Sequence, residues 1–247
     1  MFRKILSPVF FFISGACVAQ SASSDSTFVR ASVENAIRGY VKSFPDPVAL
    51  HTGAEYLDHD EGAEGFPYFL VDGYAVGWVV VNGHRYDSVP IKYDCKKKSL
   101  ILEHYDLRNY FMELELISER VDTFQIEGYK FFRLDEQSVY HGKLDDGFYN
   151  ILYDGNLKMY AFRDKRYLEY LDARSIKKMF LQRDKFYVIR NGVPVSVQNK
   201  SSLWRVFKEE KKVLKKSLKE KNVDFKNRFE EAVFLAVKIA DQMNNGL

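Results

Sequence analysis

The sequence has two cysteines and six prolines in 247 residues, and it contains no run of 18 apolar residues. Without such a run no helix of the chain can be read as a membrane span. Two cysteines exclude a disulfide-stapled scaffold. The scattered prolines, with 46% hydrophobic and 15% aromatic residues, exclude a collagen-like, low-complexity or disordered chain. What remains is a chain that folds around an apolar core.

The first residues read as an address. Arg3 and Lys4 precede an apolar run from Ile5 to Ile13, interrupted by Ser7 and Pro8, and small residues follow to Ala19. This is the pattern of a secretory signal peptide spanning residues 1–19, with cleavage after Ala19. An alternative is a lipoprotein box, Ser14-Gly15-Ala16-Cys17, which would anchor the chain to a membrane at Cys17. Either way the protein is expected to be exported, to the periplasm or to an association with the outer membrane. Residues 20–247 then carry 35 basic and 34 acidic side chains, a net charge of +1, and Cys95 is their only thiol. A lone cysteine forms no internal disulfide. So small a net charge in that compartment argues against nucleic acid as a partner.

Residues 20–27 are small and polar and read as a disordered lead. Val29, Val33 and Ile37 predict a short helix over Phe28–Tyr40, which Pro45 and Pro47 end. His51–Gly65 reads as a loop. From Phe66 the texture is β. The predicted strands are Phe66–Val71, Tyr74–Val81, Arg85–Tyr93, Ser99–Tyr105, Tyr110–Leu116, Thr123–Ile126, Tyr129–Leu134, Phe148–Tyr153, Leu157–Arg163, Phe186–Arg190 and Val193–Val197. The pairs Asp72-Gly73, Asn82-Gly83, Asp146-Gly147, Asp154-Gly155 and Asn191-Gly192 punctuate them, and such pairs suit hairpin turns. Leu168–Phe180 reads as a short helix.

In the last quarter Leu203, Phe207, Leu214 and Leu218 form one helical stripe, and Phe229, Val233, Ala236, Val237 and Ala240 form a second. The fold expected is mainly β (α+β). An antiparallel meander makes a sandwich or a partly open barrel over residues 28–199. A short N-terminal helix precedes it, and a C-terminal helical pair over residues 200–247 packs on the same domain. Charge is uneven: eight lysines and Arg205 face three glutamates over residues 200–221, while residues 20–199 sum to −4.

Two stretches look familiar. One is Gly77-Trp78-Val79-Val80-Val81-Asn82-Gly83 followed by Val89-Pro90-Ile91-Lys92-Tyr93-Asp94. The other is Gly147-Phe148-Tyr149-Asn150-Ile151-Leu152-Tyr153-Asp154-Gly155, ahead of the lysine-rich helix and its partner. Together they resemble a family of uncharacterised exported envelope proteins of Gram-negative bacteria. The resemblance spans most of residues 66–243. It implies export and a β-rich fold, and it brings no activity and no functional residues with it.

Chemistry-bearing residues are sparse. Asp58, His59, Asp60 and Glu61 are ligands of the kind that bind divalent metals, but they lack calcium-loop or zinc spacing and also suit a solvated loop. Trp78, Tyr86, Tyr149 and Tyr153 would suit an aromatic ligand-binding cavity, or plain strand packing. Lys208, Lys211, Lys212, Lys215, Lys216 and Lys219 form a positive stripe suited to an anionic surface. Cys95 precedes three lysines, which would favour a thiolate if the side chain were exposed. No catalytic residue, phosphate loop or dinucleotide fingerprint emerges, and the sequence calls for no cofactor. The expectation is a non-catalytic envelope module that meets an envelope protein. A carrier of a small apolar ligand is the alternative, and a hydrolase or metal-dependent enzyme comes third.

Overall fold

A computed structural model describes residues 29, 32–33, 50–57, 62–105, 108–172 and 175–245. By its contacts the chain divides into Met1–Pro47 and Val48–Leu247. In the first unit only Val29, Ser32 and Val33 are described, and all three are helical. The expected leader, the lead at 20–27 and most of the expected first helix lie outside the described residues.

The strands of the second unit are β1 (Gly53–Glu55), β2 (Ala63–Glu64), β3 (Ala75–Val81), β4 (His84–Asp94), β5 (Ser99–Tyr105), β6 (Phe111–Leu116), β7 (Val121–Ile126), β8 (Tyr129–Leu134), β9 (Gly147–Asp154), β10 (Lys158–Phe162), β11 (Lys165–Asp172), β12 (Ser175–Gln182), β13 (Lys185–Arg190) and β14 (Val193–Val197). Three helices follow: α1 (Lys200–Val206), α2 (Lys211–Glu220) and α3 (Phe229–Asn245). Eleven strands form one antiparallel sheet in the order β1-β6-β5-β4-β3-β7-β8-β9-β10-β13-β14, and β11, β12 and β2 form another. The ends of the long sheet do not pair with each other, so it is not a closed barrel.

Tight turns explain this order. Asn82-Gly83, Glu127-Gly128 and Asn191-Gly192 all have positive φ at both positions, and they close β3–β4, β7–β8 and β13–β14. That geometry matches the twist of the flanking strands. Between Gly77 and Trp78 the register slips by a bulge. A Cβ at Gly77 would run into the Gln125 carbonyl oxygen on β7, so only glycine fits there.

The long sheet curls. Tyr93 of β4 packs its ring on Phe131 of β8 at 5.3 Å and on Phe148 of β9 at 5.9 Å. In sheet order β4 and β9 are four strands apart, about 19 Å on a flat sheet. Only a rolled sheet brings the rings together. Tyr93, Phe124, Phe131 and Phe148 are all buried in the resulting core. At β9, β10 and β13 both faces of the sheet are covered. Met159, Ala161, Val188 and Val197 lie under Leu203, Phe207, Leu214, Leu218 and Val237 of the helices. Tyr149, Tyr160, Phe162 and Ile189 pack with Leu134 and Leu144 on the other side. The alternation Met159/Tyr160 and Val188/Ile189 is the two-residue period of a strand buried twice over.

Three expectations need correction. Phe66–Val71 is not a strand: its backbone pairs with the sheet at the single bridge Tyr68↔Asp94, and Leu70 turns the chain at a positive φ of 61°. His51–Gly65 is not all loop, since it supplies β1 and β2. Leu168–Phe180 is not a helix but belongs to the β11–β12 hairpin, where Leu168 pairs with Met179 and Tyr167 with Phe180. A short apolar run suits either period, and cross-strand pairing decided it. The expected C-terminal helical pair is present as α2 and α3, and a break in the first stripe sets a short helix, α1, ahead of it. α1 begins in a reciprocal cap between Asn199 and Ser202. It ends at Phe207, and the break turns Glu210 inward onto Arg190 of β13 at 2.7 Å.

Candidate interaction surface

The β11–β12 hairpin leaves the long sheet after β10 and returns to it at β13. A buried charge network anchors its root. Arg163 is only 3% exposed. Its Nη1 donates to Asp184 and to Glu230, each at 2.7 Å. Its Nη2 donates to Asn150 at 2.7 Å and to Glu230 at 3.0 Å, and its Nε donates to Asn150 at 3.2 Å. All five guanidinium protons are therefore used. Burial opposes the charge, but the Glu230 hydrogen bond and the charges of Glu230 and Asp184 outweigh it and hold the guanidinium pKa above its ordinary value.

The neighbouring residues complete the anchor. Asp164 is paired with Lys98 and Arg166. Burial would raise its pKa, yet these cations hold it below the ordinary carboxylate value. The Lys165 ammonium donates to the carbonyls of Phe66 and Tyr68 at 3.0 and 2.6 Å, and burial pushes its pKa down. A cleft of about 310 Å³ opens beside this network, lined among others by Phe69, Cys95, Arg163, Lys165, Asp184 and Glu230. Its two cations and two carboxylates are already committed to one another or to backbone. Chemically the cleft is a clamp.

Beyond the clamp the hairpin is exposed. Leu171 and Ile176 lie directly opposite each other and are 76% and 72% exposed. Leu168 is also exposed. Arg166, Leu168, Leu181 and Arg183 line an open cleft of about 440 Å³. A cross-strand apolar pair left in water forgoes burial worth about 1.5–3 kcal/mol per side chain.

The residues singled out in the sequence fare differently. Asp58, His59, Asp60 and Glu61 lie outside the described residues. Among the described residues no three His, Cys, Asp or Glu side chains gather around a metal position. The four aromatics do not converge on a cavity. Trp78 donates to Gln125 at 2.8 Å and stacks under Arg85, while Tyr86 of β4 is buried opposite Val79. Tyr149 is buried in the core and donates to the Asp145 carbonyl. Tyr153 packs on Phe234 of α3 and donates to Asp241 at 2.9 Å. Lys208, Lys211, Lys212, Lys215, Lys216 and Lys219 are all exposed along the α1–α2 turn and α2. Cys95 is buried, and burial outweighs the pull of Lys165 and Lys98 towards the thiolate, pushing the thiol up to about 12.

Sequence reading missed the Arg163 clamp, because its members come from β9, the end of β10, the β12–β13 turn and α3. It also missed an internal aromatic cage. Lys92 stands 4.0 and 4.8 Å from the ring centres of Tyr68 and Tyr74 and 2.6 Å from Glu113. The chain's own lysine fills that cage. No family model matches the chain, and neither a curated protein nor a solved structure matches it.

Proposed function

We propose that the protein is an exported, non-catalytic interaction module of the cell envelope, which presents the β11–β12 hairpin to another envelope component. The observation that carries this reading is the exposed pair Leu171 and Ile176 on a hairpin whose root is clamped. A rigid root keeps the ordering cost of docking low. The signal-like leader supports export, as does the resemblance to exported envelope proteins of Gram-negative bacteria. In this reading the rolled sheet is a sandwich whose core fixes the hairpin's direction. The lysine stripe on α2 serves as a second contact, to an anionic surface. No helix among the described residues is long and apolar enough to cross a membrane.

A photo-crosslinking residue placed at Leu171 tests the proposal in intact cells. A discrete adduct from that position, not obtained from the exposed Asp87, is the expected result. Equal labelling from both positions, or none from Leu171, would sink it.

A further inference from the structure

Of the four strands that end a sheet, three are guarded. β1 has three residues and β2 has two. β14 has five, with Pro194 among them. Short strands and edge prolines prevent pairing with other chains. β11 is different. It has eight residues, without glycine or proline, and pairs with β12 alone among the described strands.

We propose that β11 pairs antiparallel with β11 of a second copy of this chain, about a two-fold axis at Glu169. The proposal rests on the reading of the hairpin as the presented surface and names its partner. Side chains directly opposite in an antiparallel pair share a face, so a two-fold pairing joins residues of equal parity. With the axis at Glu169, Arg166 faces the partner's Asp172, Leu168 faces the partner's Tyr170, and Tyr167 faces the partner's Leu171. Each match occurs twice. The two Glu169 carboxylates meet on the axis, and each has its own Lys178 ammonium at 3.7 Å. Moving the axis to Leu168 sets Tyr167 against the partner's Glu169 and Lys165 against the partner's Leu171. Moving it to Tyr170 sets Leu168 against the partner's Asp172. Charge and apolar matching therefore select one register. The join continues the three-stranded sheet into six strands and covers Leu168 and Leu171.

Sedimentation equilibrium from micromolar to sub-millimolar concentration tests the association, with Glu169→Cys testing the register. A concentration-dependent dimer is expected. Mild oxidation should link Glu169→Cys chains across the axis and leave Leu168→Cys chains unlinked. Leu168→Lys should raise the dissociation constant by roughly tenfold or more. Circular dichroism shows whether each variant folds. A monomer throughout would overturn the proposal, as would a dimer indifferent to Leu168→Lys or crosslinked at Leu168→Cys rather than Glu169→Cys. In any of these cases a Leu171 adduct to a different protein would leave the module reading standing. Loss of that adduct would remove the reading itself.

Discussion

The thiol of Cys95 is 2% exposed, although Lys96, Lys97 and Lys98 follow it in sequence. Desolvation of the thiolate outweighs the pull of Lys165 and Lys98 and pushes the pKa up to about 12. Cys95 of the native protein at neutral pH should therefore resist alkylation by iodoacetamide, and urea should make that thiol reactive. Mass spectrometry reads both. Arg163 carries the larger energetic consequence. Arg163→Ala leaves the Asp184 carboxylate, only 7% exposed, without its paired cation. That should cost about 3–5 kcal/mol in urea denaturation. Neither residue's role was legible in the sequence. Arg163 reads there as one more charge at the end of a strand, and the burial that decides both cases comes from segments far along the chain.

Elements follow local rules where those rules are strong. Ser99–Tyr105, Tyr129–Leu134 and Val193–Val197 match their predicted bounds, because alternation and two-residue turns are local signals. The Glu127-Gly128 turn has the same geometry as the Asx-Gly turns, but Glu127 holds a φ of 49° without the help of an Asx side chain. Glu127→Asn should stabilise the fold by about 0.5 kcal/mol in a thermal melt. α2 offers the opposite case. Its first turn contains no acidic residue and begins with Lys211 and Lys212, which oppose the helix dipole. Lys211→Glu should raise stability by about 0.3–1 kcal/mol and weaken sedimentation with anionic vesicles. Equal vesicle binding by both proteins would remove the lysine stripe as a contact. The hairpin at 165–182 is where local rules ran out. Its leucines and tyrosines fit a helical stripe as well as a strand.

At the scale of the whole molecule, acid should test how the clamp holds the hairpin to the sheet. The Asp164 pKa is lowered by Lys98 and Arg166 in the fold. A depressed carboxylate contributes stability that is complete above its unfolded pKa, about 3.9, and is lost as pH falls through the folded value. Stability measured between about pH 6 and about pH 3 should fall less steeply in Asp164→Asn than in the parent. An unchanged slope would assign acid sensitivity to other groups. The scarcity of cysteine has its counterpart at this scale, since packing takes the place of disulfides. Tyr93, Phe124, Phe131 and Phe148 join strands that the sheet order sets far apart.

A β-rich chain with helices at its end, ten of its fourteen described strands to within two residues, the turns at Asn82-Gly83 and Asn191-Gly192 and the lysine stripe are legible in the sequence alone. Each of these depends on neighbours within a few residues, where backbone sterics and periodicity suffice. The tertiary structure alone decided the curl of the sheet, the break between α1 and α2, the burial of Cys95, the Arg163 clamp and the exposure of β11. These depend on which distant surfaces meet, and a pattern of apolar and polar residues specifies that a face is buried without naming what buries it.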